Sequence, residues 1–198
     1  MKSFAKKIFV AIWLIIVACA TSVIVNRVNR SGLRPISETE TKTFLARFHP
    51  SSPLIVEVMD FECPACRIVY PDVADWQKKR SDVRCEFVHF PLKIHQKAMS
   101  VAVATEVARS KGRFERMTDD LMSGRLEAND KAIKKYLSEI DPLLSNDPNL
   151  NEKAKSHVIA DVQFCEEMKV SKTPTIFAWN GNRLFEITSI KGLDQFLN

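Results

Sequence analysis

The sequence lacks the ligand set of a zinc site and the charge excess of a nucleic-acid-binding protein. After the single C-x-x-C pair, Cys63 and Cys66, no second C-x-x-C or close Cys/His pair follows, so a zinc site would lack two of its ligands. Five of the 29 basic residues and none of the 24 acidic residues lie within 1–30, which leaves 24 of each sign beyond them. The rest of the chain is therefore neutral, and no nucleic-acid partner is expected.

Acidic residues are absent from the amino-terminal segment, where a basic cluster precedes an apolar run. Lys2, Lys6 and Lys7 are followed by the uncharged residues 8–25, IFVAIWLIIVACATSVIV. As a helix rising about 1.5 Å per residue, this run would span roughly 27 Å, just enough to cross a hydrocarbon core. The pattern favours an export segment over a buried helix, and it predicts that residues 1–30 form a signal anchor or signal peptide.

The fate of this segment has three possible outcomes. Ala18 and Ala20 form an A-x-A arrangement that a signal peptidase could cleave, and residues 16–19 resemble a lipoprotein box that would lipidate Cys19. We favour an uncleaved anchor, because the apolar run continues beyond either cut. All three predict that the rest of the chain faces the extracytoplasmic side, which is the periplasm or the outer face of the cytoplasmic membrane.

The remaining residues are enough for one domain of ordinary size, preceded by a linker and N-terminal extension over 31–53. Within the domain, 54–198, an apolar run at 54–59 predicts a strand covered on both faces. Residues 64–79 are predicted to form a helix, and residues 83–90 a second strand. This βαβ unit places the C-x-x-C pair at the carboxyl end of its first strand, where open α/β sheets carry their chemistry. The segment 94–168 predicts a helical insertion. Two hairpin strands, 174–179 and 184–187, and a terminal helix, 193–197, are expected after it.

The C-x-x-C pair itself indicates redox chemistry. Two thiols separated by two residues can close a disulfide within one helical turn. Cys63 lies where free backbone N–H groups and the helix dipole favour a thiolate. A metal-binding pair and an inert structural disulfide are the alternatives.

Three motifs together resemble a known family. They are D-F-E-C-P-A-C at 60–66, H-F-P-L-K-I-H-Q-K-A at 89–98 and M-K-V-S-K-T-P-T-I-F-A-W-N-G at 168–181. Their sequence and order are similar to those of the DsbA-like thiol-disulfide oxidoreductases of the thioredoxin-like superfamily. The resemblance implies an α/β thioredoxin fold with an inserted helical subdomain.

The resemblance also implies roles for individual residues. Cys63 would be the nucleophile, exposed and of lowered pKa, and Cys66 the buried resolving thiol. Thr173 and Pro174 would lie beside the pair, joined by a cis bond that turns the backbone of residue 173 toward an extended substrate chain. Without the family, Pro174 is equally well explained as a strand-initial proline. The residues expected to contact the substrate are Thr173, Pro64 and Ala65.

Glu57 is the remaining catalytic candidate, because the family keeps a buried acid under the disulfide that relays the proton of the resolving thiol through water. Such a carboxyl would have a raised pKa, whereas the alternative is an acid at a strand edge that reaches solvent. His89 and His95 match family positions, although packed or surface histidines are the preferred interpretation. For Phe61 and Ile94 core packing is preferred over a role in a substrate surface.

Two residues depart from the family pattern. Ala65 stands where the strongest oxidants carry a histidine that stabilises the thiolate, which leaves the oxidising power open. Lys172 replaces the usual glycine before Thr-Pro, and either supports a thiolate or points to solvent.

Cys85 and Cys165 are expected to be buried free thiols rather than a second disulfide.

These observations predict a membrane-tethered, extracytoplasmic thiol-disulfide oxidoreductase that needs no cofactor or metal, because the cysteine pair carries both electrons. Its expected partners are exported proteins with cysteine pairs and a membrane quinone-linked protein that reoxidises it. A reductase or isomerase of the same fold is the first alternative. A copper metallochaperone is the second, with Met59 the only nearby candidate ligand. A peptide-binding module is disfavoured because both thiols are present.

Overall fold

The computed structural model describes residues 12–14, 16–17 and 32–197. Most of the predicted export segment, including Cys19, lies outside these residues. Among the described residues, no helix combines the length and the apolar composition needed to span a membrane.

The strands are β1 (Leu33–Pro35), β2 (Leu54–Met59), β3 (Arg84–His89), β4 (Thr175–Trp179) and β5 (Leu184–Ile187). The helices are α1 (Glu38–Phe48), α2 (Pro64–Lys78), α3 (Ala98–Arg109), α4 (Phe114–Met122), α5 (Asp130–Ile140), α6 (Pro148–Glu167) and α7 (Lys191–Gln195).

The five strands form one mixed sheet in the order β1-β5-β4-β2-β3. β2 pairs in parallel with β3, as a βαβ crossover requires, and antiparallel with β4. β4 and β5 form the predicted hairpin, and β2 spans the predicted residues. All residues of β2 and β4 are buried, because helices cover both faces of the sheet.

Three apolar clusters hold the helices to the sheet. One face of β2, with Leu54, Val56 and Val58, packs against Phe44 of α1 and Phe164 of α6. On the other face, Ile55 belongs to a cluster with residues of α2 and α7. The third cluster joins the carboxyl end of β2 and both cysteines of the pair to α3, α4 and α5. The helical insertion is therefore packed directly against the C-x-x-C pair.

The segment assigned to the linker contains one element of the sheet. Leu33–Pro35 pairs antiparallel with β5, from Leu33 opposite Ile187 to Pro35 opposite Phe185. The carbonyl of Gly32 accepts a hydrogen bond from the N–H of Thr188 at 2.8 Å. A Cβ on Gly192 of α7 would collide with this carbonyl, so Gly192 allows the close approach. A three-residue edge strand with one proline has no alternating pattern, which is why the sequence did not indicate it.

Candidate active site

The C-x-x-C pair lies at the start of α2. Cys63 is the N-cap residue, with φ −72° and ψ 118°, and Pro64 occupies the first helical turn, where its missing N–H costs no hydrogen bond. The Cys63 side chain makes no capping hydrogen bond. The free N–H groups and the positive end of the helix dipole are therefore available to a thiolate at Cys63. Pro64 and Ala65 are exposed beside it, as a substrate contact requires. Cys63 itself is only 6% exposed, so the expectation of an exposed nucleophile is wrong, because the carbonyl of Thr173 lies against its sulfur.

The two thiols differ in acidity. Burial raises the pKa of Cys63, but hydrogen bonds involving Thr173, Cys66 and the backbone of Ala65 outweigh burial and bring the Cys63 pKa below its ordinary value. Cys66 is fully buried, and burial raises its pKa to about 12. Since the thiolate is the reactive form, Cys63 is equipped to attack while Cys66 stays protonated.

The Thr173–Pro174 bond is cis and lies against the pair. The Cys63 Sγ donates to the carbonyl oxygen of Thr173 at 3.4 Å. The Thr173 hydroxyl also contributes to lowering the pKa of both thiols, although it has no partner at hydrogen-bond geometry among the described residues. The third motif, which is far from the first in the sequence, thus contacts it at the cysteine pair.

Two acidic residues of the first motif hold the loop at 90–97 against the pair. The Asp60 carboxylate accepts the N–H of Leu92 at 2.8 Å and contacts the Nδ1 of His95 at 2.7 Å. The Glu62 carboxylate accepts the N–H of Lys97 at 2.6 Å. The sequence did not indicate these contacts with the loop, although Asp60 and Glu62 flank Phe61 in the D-F-E-C motif. The His95 position is explained by this contact.

Glu57 is buried, with 5% of its surface exposed. It lies on β2 between β3 and β4, opposite Phe87 and Ile176, rather than at a strand edge reaching solvent. Burial raises the pKa of Glu57 to about 7, and the hydrogen bond donated by Gln77 at 2.6 Å opposes this only in part. The carboxyl can therefore gain or lose a proton near neutral pH.

A cavity of about 200 Å³ adjoins Glu57 on the side of the helical insertion. Tyr70 and Gln77 of α2 line it together with Thr118 of α4 and the exposed Glu115. Glu57 Oε2 and Thr118 Oγ1 are buried here without a hydrogen-bond partner among the described residues. A cavity of this size and polarity has room for hydrogen-bonded water.

His89 belongs to a cluster of ionisable side chains, in which His89 and Glu106 are buried while Arg109 and His157 reach the surface. Its Nε2 lies 2.8 Å from Glu106 Oε1, while His157 Nδ1 lies 2.7 Å from Glu106 Oε2 and Arg109 donates to both oxygens at 3.0 Å. Burial alone would raise the pKa of Glu106, but these three neighbours lower it to about 2. The cluster joins β3, α3 and α6, and it gives His89 a structural explanation.

We expect Glu106→Gln to lower the free energy of unfolding at neutral pH by roughly 1.5–3 kcal/mol, because it replaces the buried carboxylate that His89 and Arg109 contact and so weakens hydrogen bonds to a charged group. The folded-state pKa of Glu106 lies below its unfolded value, so its stabilisation is present above about pH 4.5 and lost as pH falls toward about 2. Urea unfolding as a function of pH measures this. The deficit of the variant should shrink in acid, whereas the exposed control Glu152→Gln should change little at any pH. A deficit that does not vary with pH would contradict the assignment.

The other two cysteines of the described residues lie on opposite faces of the sheet. Cys165 packs in the cluster with α1 and α6, whereas Cys85 packs against the cluster with α2 and α7. Both are free. Burial raises the pKa of Cys85 to about 12 and also raises the pKa of Cys165. The expectation of two free thiols is confirmed, although Cys85 is only half-buried.

The remaining candidates divide between core and surface. Phe61 is 1% exposed and stacks on Phe87, so the expectation of core packing is correct. For Ile94 the expectation of core packing is wrong, since the residue is 81% exposed on the loop that Asp60 holds. Lys172 is exposed next to Thr173.

The described residues contain no cluster of three or more His, Cys, Asp or Glu side chains suited to a metal ion. Met59, the candidate third ligand of a copper site, is 1% exposed in the same core cluster as the cysteine pair.

Comparisons with known proteins agree with this architecture. A family model described as Thioredoxin matches residues 49–198, more than half of the chain. The thiol-disulfide exchange protein alpha-DsbA2 from Wolbachia pipientis has a similar structure, with a TM-score of 0.65, 15% sequence identity, and coverage of 79% of this chain and 92% of that one. A periplasmic thioredoxin-like protein from Salmonella enterica serovar Typhimurium has a TM-score of 0.60, 20% identity, and coverage of 80% and 95%. At these identities the likeness concerns the fold, which is mixed α/β and thioredoxin-like with DsbA-like neighbours.

Curated relatives are found among longer proteins. The Na(+)/H(+) antiporter NhaA 3 of Salinispora tropica is 31% identical over 132 residues, which cover 65% of this chain and 20% of that protein. The Na(+)/H(+) antiporter NhaA 1 of Mycolicibacterium gilvum is 28% identical over 159 residues, which cover 77% of this chain and 26% of that protein. The chain therefore spans about a fifth to a quarter of the length of these relatives.

Proposed function

The chain belongs to the thioredoxin family, and from this premise we propose that it is a thiol-disulfide oxidoreductase acting through Cys63 and Cys66. The observation that carries the proposal is the asymmetry of the pair. The pKa of the Cys63 thiol is lowered and that of Cys66 is raised to about 12, within one helical turn. Cys63 is thus the sulfur suited to bond with a client, and Cys66 the sulfur that keeps its proton.

The proposed cycle balances with two electrons and two protons. A client thiolate attacks the Cys63–Cys66 disulfide at the Cys63 sulfur, forming a mixed disulfide and releasing Cys66 as a thiolate. The second client thiolate then attacks the client sulfur of the mixed disulfide, which releases Cys63. The client leaves oxidised by two electrons, and both cysteines of the pair are reduced. Thr173, Pro64 and Ala65 would contact the client chain, and Pro174 would hold residue 173 in place.

Glu57 would supply the proton that Cys66 needs when it leaves as a thiolate. The cysteine's pKa, about 12, makes it a strong proton acceptor, and the pKa of the carboxyl, about 7, keeps a proton available near neutrality. Water in the neighbouring cavity, lined by Gln77 and Thr118, would reconnect Glu57 with solvent.

We further propose that residues 1–30 anchor the chain in a membrane, that 31–53 lead to the domain, and that the domain, 54–198, faces the extracytoplasmic side. The basic cluster and the apolar run at 8–25 support this arrangement. Exported proteins with cysteine pairs would be the clients, and a membrane quinone-linked protein would reoxidise the pair. No nucleic-acid partner is proposed.

A reductase or isomerase is the second candidate, and one residue favours it. Ala65 is exposed between the cysteines and carries no charge or hydrogen-bonding side chain. The Cys63 thiolate is then stabilised less than by a histidine at this place, and the disulfide is correspondingly harder to reduce.

The deciding experiment equilibrates the full-length chain in detergent with glutathione buffers of known ratio and measures the reduced fraction of the pair. A potential near about −120 mV supports a disulfide donor, whereas about −270 mV supports the reductase. A pair that does not exchange with glutathione, or with a dithiol peptide, would overturn the oxidoreductase function in both directions.

A further inference from the structure

Two grooves meet beside the Thr173–Pro174 bond, and Lys172 lines both of them. The first has a volume of about 190 Å³, and its floor is apolar, formed by Val69, Pro174, Ile176, Ile187 and Ile190. The second, of about 250 Å³, is lined at its charged positions by Arg34, Lys169, Lys172 and Glu186. Glu186 also borders the first groove. A client chain held at Cys63 therefore has an apolar and a charged surface next to it.

The charges of these grooves do not cancel. Glu186 is the one acidic residue among the described residues that line them, and it forms an ion pair with Arg34. Lys169 lies 4.0 Å from Glu40, at the limit of an ion pair. The exposed Lys172 makes no ion pair with any residue that the structure describes. An uncompensated positive charge thus stands at the junction of the grooves.

Lys172 is also close to the reacting sulfur along the chain. It immediately precedes Thr173, whose carbonyl oxygen lies 3.4 Å from Cys63 Sγ. A client cysteine joined to Cys63 would lie beside this carbonyl, one residue along the backbone from Lys172. Exposed charges interact over about 8 Å at physiological salt, so the client residues next to that cysteine would be expected to experience the Lys172 charge. Charge on those neighbours therefore interacts with Lys172 when the mixed disulfide forms.

We propose that Lys172 makes the enzyme prefer client segments that carry an acidic residue within two positions of the reactive cysteine. The inference rests on the oxidoreductase activity proposed above and adds the class of client to it. Single exposed ion pairs change such preferences by roughly 1.5- to 5-fold, and steering by an exposed charge weakens as salt rises.

The test compares two reduced dithiol peptides that differ only in Asp or Asn beside the first cysteine. The measured quantity is the ratio of kcat/KM for the Asp peptide to kcat/KM for the Asn peptide, determined at low salt with the oxidised full-length chain. This Asp-to-Asn ratio should be roughly 1.5- to 5-fold higher in the wild type than in Lys172→Gln. Comparing the ratio between proteins removes the effect of Asp on the thiol acidity of the peptide itself. The difference between the proteins should vanish at about 1 M salt, and Lys172→Glu should shift the ratio further toward the Asn peptide.

Lys155→Gln is the matched control, because Lys155 is an exposed lysine on α6 that lines neither groove. It removes the same charge and should leave the ratio at the wild-type value. An Asp-to-Asn ratio that is the same in the wild type and in Lys172→Gln, or that falls equally in Lys155→Gln, overturns the inference while exchange itself continues. Absence of exchange with both peptides overturns the proposed function instead.

Discussion

The Cys63→Ser variant is expected to lose disulfide exchange completely. In Cys66→Ser, the Cys63 thiolate should attack the disulfide of an oxidised client and stay joined to it, because Cys66 is not there to attack the mixed disulfide. Cys63 carries the lowered pKa at the helix start and lies against the Thr173 carbonyl, so no other described thiol can replace it. Cys66 is fully buried, whereas Cys63 is 6% exposed beside the exposed Pro64 and Ala65, so a client is expected to meet Cys63 first. Removing Cys63 therefore prevents every mixed disulfide, whereas removing Cys66 leaves no internal disulfide to donate and no second thiol to release an oxidised client.

Oxidation of a dithiol peptide measures turnover, and non-reducing gels with mass spectrometry detect the trapped complexes. Cys165→Ala is the matched control, because Cys165 is a buried thiol whose pKa is raised and which lies in the cluster with α1 and α6. It should retain exchange. Residual turnover in Cys63→Ser, or trapped complexes in a variant lacking Cys63, would contradict the assignment of the nucleophile.

Glu57→Gln should slow exchange at neutral pH by about 100-fold, the lower end of what a positioned acid or base contributes. Glutamine keeps the size and the polarity of the side chain but cannot transfer the proton that Cys66 requires. The rate of the wild type should also change with an apparent pKa near 7, which the variant should lack. Stopped-flow exchange across pH measures both. An unchanged pH profile would contradict the proton-transfer role.

The same substitution should have the opposite effect on stability. Folding raises the pKa of Glu57 from 4.5 to about 7. The folded state therefore holds an extra proton between these values, and stability falls as pH rises through that window. Because glutamine does not titrate, the variant should gain up to about 3 kcal/mol over the wild type at about pH 8 and nothing at about pH 4.5. Denaturant unfolding at both pH values measures the difference, and a gain at both would indicate a packing effect instead.

The local structure near the site could be predicted because it depends on local pattern. The strand at Leu54–Met59, the helix that begins at Pro64, the hairpin of β4 and β5 and the helical insertion all have signals within a few residues. A continuous apolar run, a proline at a helix start and a short polar turn restrict the backbone without help from distant residues.

Contacts between distant segments were not predictable in the same way. The pairing of β1 with β5, the attachment of the 90–97 loop by Asp60 and Glu62, and the exposure of Ile94 depend on which surfaces meet after folding. Asp60, for example, could equally have capped a turn in solvent. The sequence around a polar side chain is the same whether that side chain contacts solvent or a distant segment. Its contribution to stability depends on the hydrogen-bond partner that the fold brings to it.

The sequence by itself determined the chemistry available to this protein: a C-x-x-C pair at a helix start, a Thr-Pro motif and an acid in an apolar strand. Only the tertiary structure decided how reactive these groups are. Burial raises the pKa of Cys66 and of Glu57, whereas hydrogen bonds lower the pKa of Cys63, whose sulfur lies against the Thr173 carbonyl. The reason is that desolvation and close contact are properties of position in space, whereas residue type and spacing are properties of the chain.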